Sequence, residues 1–199
     1  MNTIKTNLTT EAVFSDDGLN RYTLTKIWDT SLPKLAIVMM APAEASGIVL
    51  DTTTQLCLNN ASRLGYGSIT IVNLFSRLND TELIHADEDD PHNLEAIIAA
   101  AQTADLIVYA PGTGKTKSKV FQERQEQVLN ALRPFEQKLN CLCNESGRAR
   151  LQHPLSPSLR FWTITPFDIS ELISEPVKEE PKPKRKTHAK SAKENKDIE

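Results

Sequence analysis

The sequence predicts an α/β fold: a three-layer α/β/α sandwich around a mostly parallel sheet of four to five strands, preceded by an N-terminal β-hairpin. Two observations carry it. Short apolar β-rich runs alternate with helical stretches of 12 to 16 residues, the mark of βαβ units with right-handed crossovers. Several of those runs are apolar throughout rather than alternating, as strands covered on both faces are.

The elements follow in chain order. RYTLTKIW (21–28) alternates by twos behind the turn signal SDDGLN, so it is the second strand of a hairpin. KLAIVMMA (34–41) is the first buried strand. Thr52 to Leu64 carries Leu56, Cys57, Asn60 and Leu64 at helical spacing, with Gly65 as its stop and Asp51 suited to its N-cap. GSITIVNLF (67–75) is the second buried strand, and Pro91 to Ala104 is an alanine-rich amphipathic helix opening beside an acidic cluster. ADLIVYA (104–110) is the third strand, Lys117 to Leu132 a helix that stops before Pro134, and KLNCLCN (138–144) the fourth strand. RFWTITPFD (160–168) reads as an edge strand.

The domain runs over 11–174, after an N-terminal extension of residues 1–10. Residues 175–199, EPVKEEPKPKRKTHAKSAKENKDIE, hold almost no large apolar side chain and three prolines, so they cannot offset their ordering entropy and are expected to be disordered. That tail carries eight Lys or Arg against six Asp or Glu, a net of +2, and the other 174 residues carry 15 against 20, a net of −5. PKPKRK resembles a nuclear-import or nucleic-acid-contacting patch, but short basic runs are frequent in such tails and a solubilising extension is the preferred reading. The acidic body argues against DNA binding through its whole surface, which leaves a local patch of Arg77, Lys115, Arg148 and Arg150, or the tail.

No apolar run approaches the roughly 20 residues that span a bilayer, and the N-terminus lacks a signal-peptide core. The expectation is a cytoplasmic protein with no membrane partner, or a nuclear one in a eukaryotic host. Three cysteines, Cys57, Cys141 and Cys143, make an odd count unsuited to a disulfide framework, and they read as buried thiols. No ligand set for a metal and no cofactor motif accompanies them.

YAPGTGKT (109–116) imitates a phosphate-binding loop. Gly114, Lys115 and Thr116 satisfy the end of that pattern, between a strand and a helix. Tyr109 stands where the first glycine must let the backbone curl around the phosphates, and no apolar strand ending in Asp supplies a metal-holding partner. Gly112 and Gly114 still allow a ligand close to the backbone, and Lys115 still offers a cation.

Ligands of open parallel sheets bind beyond the carboxyl ends of the strands. There the first strand offers Pro42, Glu44 and Asp51, and the second Asn73, Phe75 and Arg77. The third leads into Gly112, Gly114 and Lys115, and the fourth into Arg148, Arg150 and His153.

RYTLTKIW, MMAPAEA, DTTTQLC, LGYGSITIVNLFSRL, the glycine loop after LIVYA and NCLCNESGRARLQHPL together resemble, over residues 20–160, an uncharacterised bacterial and phage family, domain of unknown function 1643. Met40, Ala41, Pro42 and Ala43 replace that family's usual Leu-Asn-Pro-Ser. A second similarity joins HPLSPS (153–158), the proline loop and Asn73 to uracil-DNA glycosylase-like proteins. It implies that Asn73 reads a flipped base, His153 stabilises charge on the base oxygen, and Asp51 or Glu44 positions a water.

The expected function is binding of a nucleotide or DNA base at the carboxyl edge, as a base-excising hydrolase with Asp51, Asn73 and His153 catalytic. The alternatives are a non-catalytic phage or mobile-element interaction protein with a degenerate site, and a nucleoside-triphosphate binder acting through GTGKT.

Overall fold

The computed structural model describes residues 1–43, 48–80, 83, 90–114, 117–143, 151–157 and 159–173. Seven strands form one sheet: β1 (Thr9–Phe14), β2 (Arg21–Ile27), β3 (Lys34–Met39), β4 (Ser68–Asn73), β5 (Leu106–Tyr109), β6 (Leu139–Cys143) and β7 (Thr163–Pro166). The helices are α1 (Thr52–Arg63), α2 (Pro91–Thr103) and α3 (Lys119–Leu132).

The sheet order is β1-β2-β4-β3-β5-β6-β7. β4, β3, β5 and β6 run parallel. β1 and β2 extend one side antiparallel, and β7 closes the other side antiparallel to β6. The sheet is therefore mixed and has seven strands, which corrects the expected four to five mostly parallel ones. The reason lies in the hairpin. Read as an appendage, it instead docks β2 along β4, with Leu24 opposite Ile71 and Ile27 opposite Ser68.

Side-chain alternation on the central strands feeds two separate cores. Ala36, Val38, Val72, Ile107 and Tyr109 pack with Ile97, Ala100 and Ala101 of α2 and Phe121, Val128 and Leu129 of α3. Leu35, Ile37, Met39, Ile69, Ile71 and Val108 pack with Leu24, Trp162 and Cys57 and Ala61 of α1. The three thiols are free and buried. Trp162 is fixed from α1: its backbone N–H donates to Asn60 Oδ1 at 3.0 Å, and its carbonyl accepts from the Arg63 guanidinium at 2.6 Å.

Asp51 caps α1, and after Leu64 the chain leaves the helix through Gly65 at φ +86. Gly67 then passes so close to the 28–33 turn that an added Cβ would lie 1.9 Å from the Asp29 carbonyl oxygen. No described helix is long and apolar enough to cross a membrane.

β3 is followed by α1 on one face. β4 and β5, which flank β3, are followed by α2 and α3 on the other. The chain thus changes direction beside β3, and a crevice at the carboxyl ends is the expected consequence.

Candidate functional site

A cavity of about 250 Å³ opens at that crevice, lined by Arg21, Met39, Met40, Ala41, Pro42, Ala43, Asp51, Thr53, Thr54, Asn79 and His153.

Asp51 is extended (φ −69, ψ 162) just before the first turn of α1. Its Oδ1 accepts from the Thr54 N–H at 2.9 Å, and its Oδ2 accepts from the Thr54 hydroxyl at 2.7 Å. An ionised carboxylate has about four lone-pair sites, so two such bonds leave acceptor capacity on the cavity wall.

His153 is held by its own loop: Nδ1 accepts from the Leu155 N–H at 3.2 Å, and its carbonyl accepts from the Ser156 N–H at 2.8 Å. With Nδ1 an acceptor, the neutral ring carries its proton on Nε2. Burial holds the imidazole below its usual range, and the Asp51 charge partly opposes that. Gly112, at φ +85, brings the loop after β5 against this histidine, and an added Cβ would stand 3.2 Å from His153 Cβ. The glycine turn thus packs against the backbone side of His153.

Arg21 is the residue that the sequence reading missed. It opens β2, and because β2 runs antiparallel to β4, the start of β2 lies at the carboxyl edge. Its side chain is 2% exposed, yet its bonds are long: 3.3 Å to Asn73 Oδ1 and 3.5 Å to the Ala43 carbonyl. Its Nε has no acceptor. Burial lowers its pKa and Asp51 opposes the shift, but a guanidinium keeps its charge. Lys26, further along β2, is also buried and also feels Asp51. Its Nζ donates to Thr10 Oγ1 at 2.9 Å.

Of the other expected site residues, Pro42 lines the cavity, and its carbonyl accepts from the Asn79 N–H at 3.1 Å. Asn73 is fully buried and stands behind the lining, where it receives Arg21. Its backbone carbonyl accepts from Asn93 Nδ2 at 3.1 Å, and its own Nδ2 has no acceptor. Phe75 lies in the α2–α3 core, Arg77 bridges to Asn20 away from the lining, and Gly114 is exposed. Glu44, Lys115, Arg148 and Arg150 lie outside the described residues, as do Thr116 and the tail beyond 173. The structure therefore brings together Asp51, His153 and Pro42, adds Arg21, Thr53 and Asn79, and sets Asn73 behind Arg21.

No curated protein matches the chain, and no solved structure does. A family model described as Protein of unknown function (DUF1643) matches residues 21–155, from the buried arginine of the cavity to just past its histidine. With more than half its length covered by that match, the chain belongs to this family.

Proposed function

We propose that the chain binds a nucleotide or nucleic-acid base in the carboxyl-edge cavity and hydrolyses the bond between base and sugar. The observation that carries the reading is Arg21. A buried guanidinium with two long hydrogen bonds and an unsatisfied Nε is costly to keep. Nε itself is sealed from solvent, so a ligand acceptor would complete the terminal nitrogens, whose present bonds are the long ones. The cavity's 250 Å³ falls below the roughly 300–1,000 Å³ of drug-sized ligand sites, which suits a single flat ring.

In the hydrolytic step the C–N bond breaks, and its electron pair leaves with the base. A water oxygen bonds the sugar's anomeric carbon and gives up a proton. Asp51 orients that water and takes the proton. Neutral His153 donates from Nε2 to the base oxygen on which charge gathers. Asn73 acts as a positioning residue, through Arg21. The finer α/β/α layering belongs to the same reading, supported by separate cores on the α1 side and the α2–α3 side. DNA is the macromolecular source of such a base, with the basic tail as an added contact.

The test is base release from DNA carrying a panel of modified bases. His153→Ala should slow release by about 10²–10³-fold, as the loss of an oxyanion donor does. Equal rates in both proteins remove the hydrolytic step, and failure of every nucleoside, nucleotide and oligonucleotide to bind removes the whole reading.

A second reading rests on Met40, Ala41 and Ala43, which line the cavity with apolar side chains directly after β3. It is a non-catalytic interaction protein of a phage or mobile element. Installing Ala41→Asn with Ala43→Ser creates no activity under this reading, and activity in that variant overturns it.

A further inference from the structure

We infer that two copies of the chain associate edge to edge. The N-terminal segment of each adds as a strand to the outer edge of β1 in the other, with Leu8 opposite Leu8 at the two-fold axis.

β1 ends the sheet, and no described strand covers its outer edge. Proteins blunt such an edge with proline, lysine, a very short strand or a covering element. The opposite edge is blunted in this way: β7 is four residues long and ends at Pro166. β1 is six residues, TTEAVF, with neither proline nor lysine, and its register shift falls only at the Val13–Phe14 end. Apolar side chains gather beside it. Ile4 is 85% exposed, Leu8 46%, Val13 43% and Phe14 39%. Residues 1–8 belong to no strand and are exposed throughout, which leaves that stretch accessible to another chain.

The occupant is a second copy because the sequence is complementary to itself there. An antiparallel pair sets residues of one face opposite residues of the same face. With Leu8 opposite Leu8, residues 2–7 lie along residues 9–14 of the second copy. Lys5 then meets Glu11 of that copy, Ile4 meets Ala12, and Thr6 meets Thr10. Ala12 packs on the α1-side core, so Ile4 and Leu8, which share its parity, extend that apolar face. Lys5 and Glu11 share the other face, where neither side chain pairs with another described residue of its own chain. The two-fold axis makes each of these pairs twice. The neighbouring registers that keep the faces matched set Lys5 against Thr9 or Val13 and leave Glu11 without a cation. Main-chain bonds of the added strand supply affinity, and the side-chain pairs fix the register.

The experiment is sedimentation velocity on the full chain over a concentration series, with Lys5→Glu, Glu11→Lys and the double variant carrying both. Both positions are exposed, so the variants keep the fold, which circular dichroism checks. The wild type should dimerise. Each single reversal should weaken the dimer by about tenfold, since like charges then face each other twice, and the double variant should return to within about threefold of wild type. Removing residues 2–8 should leave a monomer. A chain that stays monomeric up to its solubility limit overturns the inference. So does a dimer indifferent to both reversals, or one that survives removal of residues 2–8. A double variant as weak as the single ones overturns it too, because the two charges then do not meet.

Discussion

Replacing Arg21 by Met asks whether that buried cation serves the ligand or the fold. Breaking a structural buried ion pair by removing one partner costs about 3–5 kcal/mol. Arg21 is not held like such a pair. Its two bonds are 3.3 and 3.5 Å long, beyond the usual 2.7–3.2 Å range. Its Nε is an orphan donor, a state that costs about 1–3 kcal/mol and that the variant relieves. Against this, Asn73 Oδ1 loses its donor inside a fully buried side chain, a cost of about the same 1–3 kcal/mol. Asp51 keeps both Thr54 bonds. The terms cancel to within about 2 kcal/mol, while base affinity is lost. Urea unfolding read by circular dichroism gives the first number and calorimetric titration the second. A loss of 3–5 kcal/mol with ligand affinity intact would refute the reasoning and make Arg21 a structural pillar.

Gly112→Ala should lower stability by about 1–2 kcal/mol, the cost of a Cβ in the left-handed region, and weaken ligand binding as well, because the new methyl presses on His153; thermal melts and titration read the two effects. Gly67→Ala should be far worse than Gly18→Ala. The first drives a Cβ to 1.9 Å from a backbone oxygen, whereas the second meets nothing within 4 Å and bears only the left-handed cost of φ +71, about 1–2 kcal/mol, so comparable melting temperatures would rule out that close passage. The depressed pKa of His153 carries a sign: the folded chain holds its imidazole neutral, so as pH falls through the ordinary 6.5 the unfolded chain takes up the proton first and stability drops. His153→Asn keeps an acceptor for the Leu155 N–H and removes the titration. Its melting temperature should fall less than the wild type's between pH 7.5 and pH 5.5, and parallel curves would contradict this.

Much of the architecture was legible because its signals are local. Continuous apolar runs mark β3 and β4, covered on both faces. Asp51 and Gly65 bracket α1, since capping and a positive φ depend on immediate neighbours. The edge strand β7 also lies within the segment expected to form one. The location of the cavity followed from a rule about parallel strands, and Asp51, Pro42 and His153 stand in it. What stayed hidden depends on long-range pairing. Arg21 looks like an ordinary first residue of a strand until β2 lies antiparallel along β4 and delivers it to the carboxyl edge. Asn73 sits at a strand end facing that edge in sequence, yet Arg21 and Asn93 enclose it. Phe75 follows the same strand into the core, where an aromatic ring is as natural as at a ligand.

Whether this cavity holds a base is visible in a crystal structure of the full chain grown with deoxyuridine. The ring should lie in the space lined by Arg21, Asp51 and His153, within hydrogen-bond distance of the guanidinium. A ring bound elsewhere, for example at the turn of Gly112 and Gly114, with the Arg21 cavity holding only water, would contradict it.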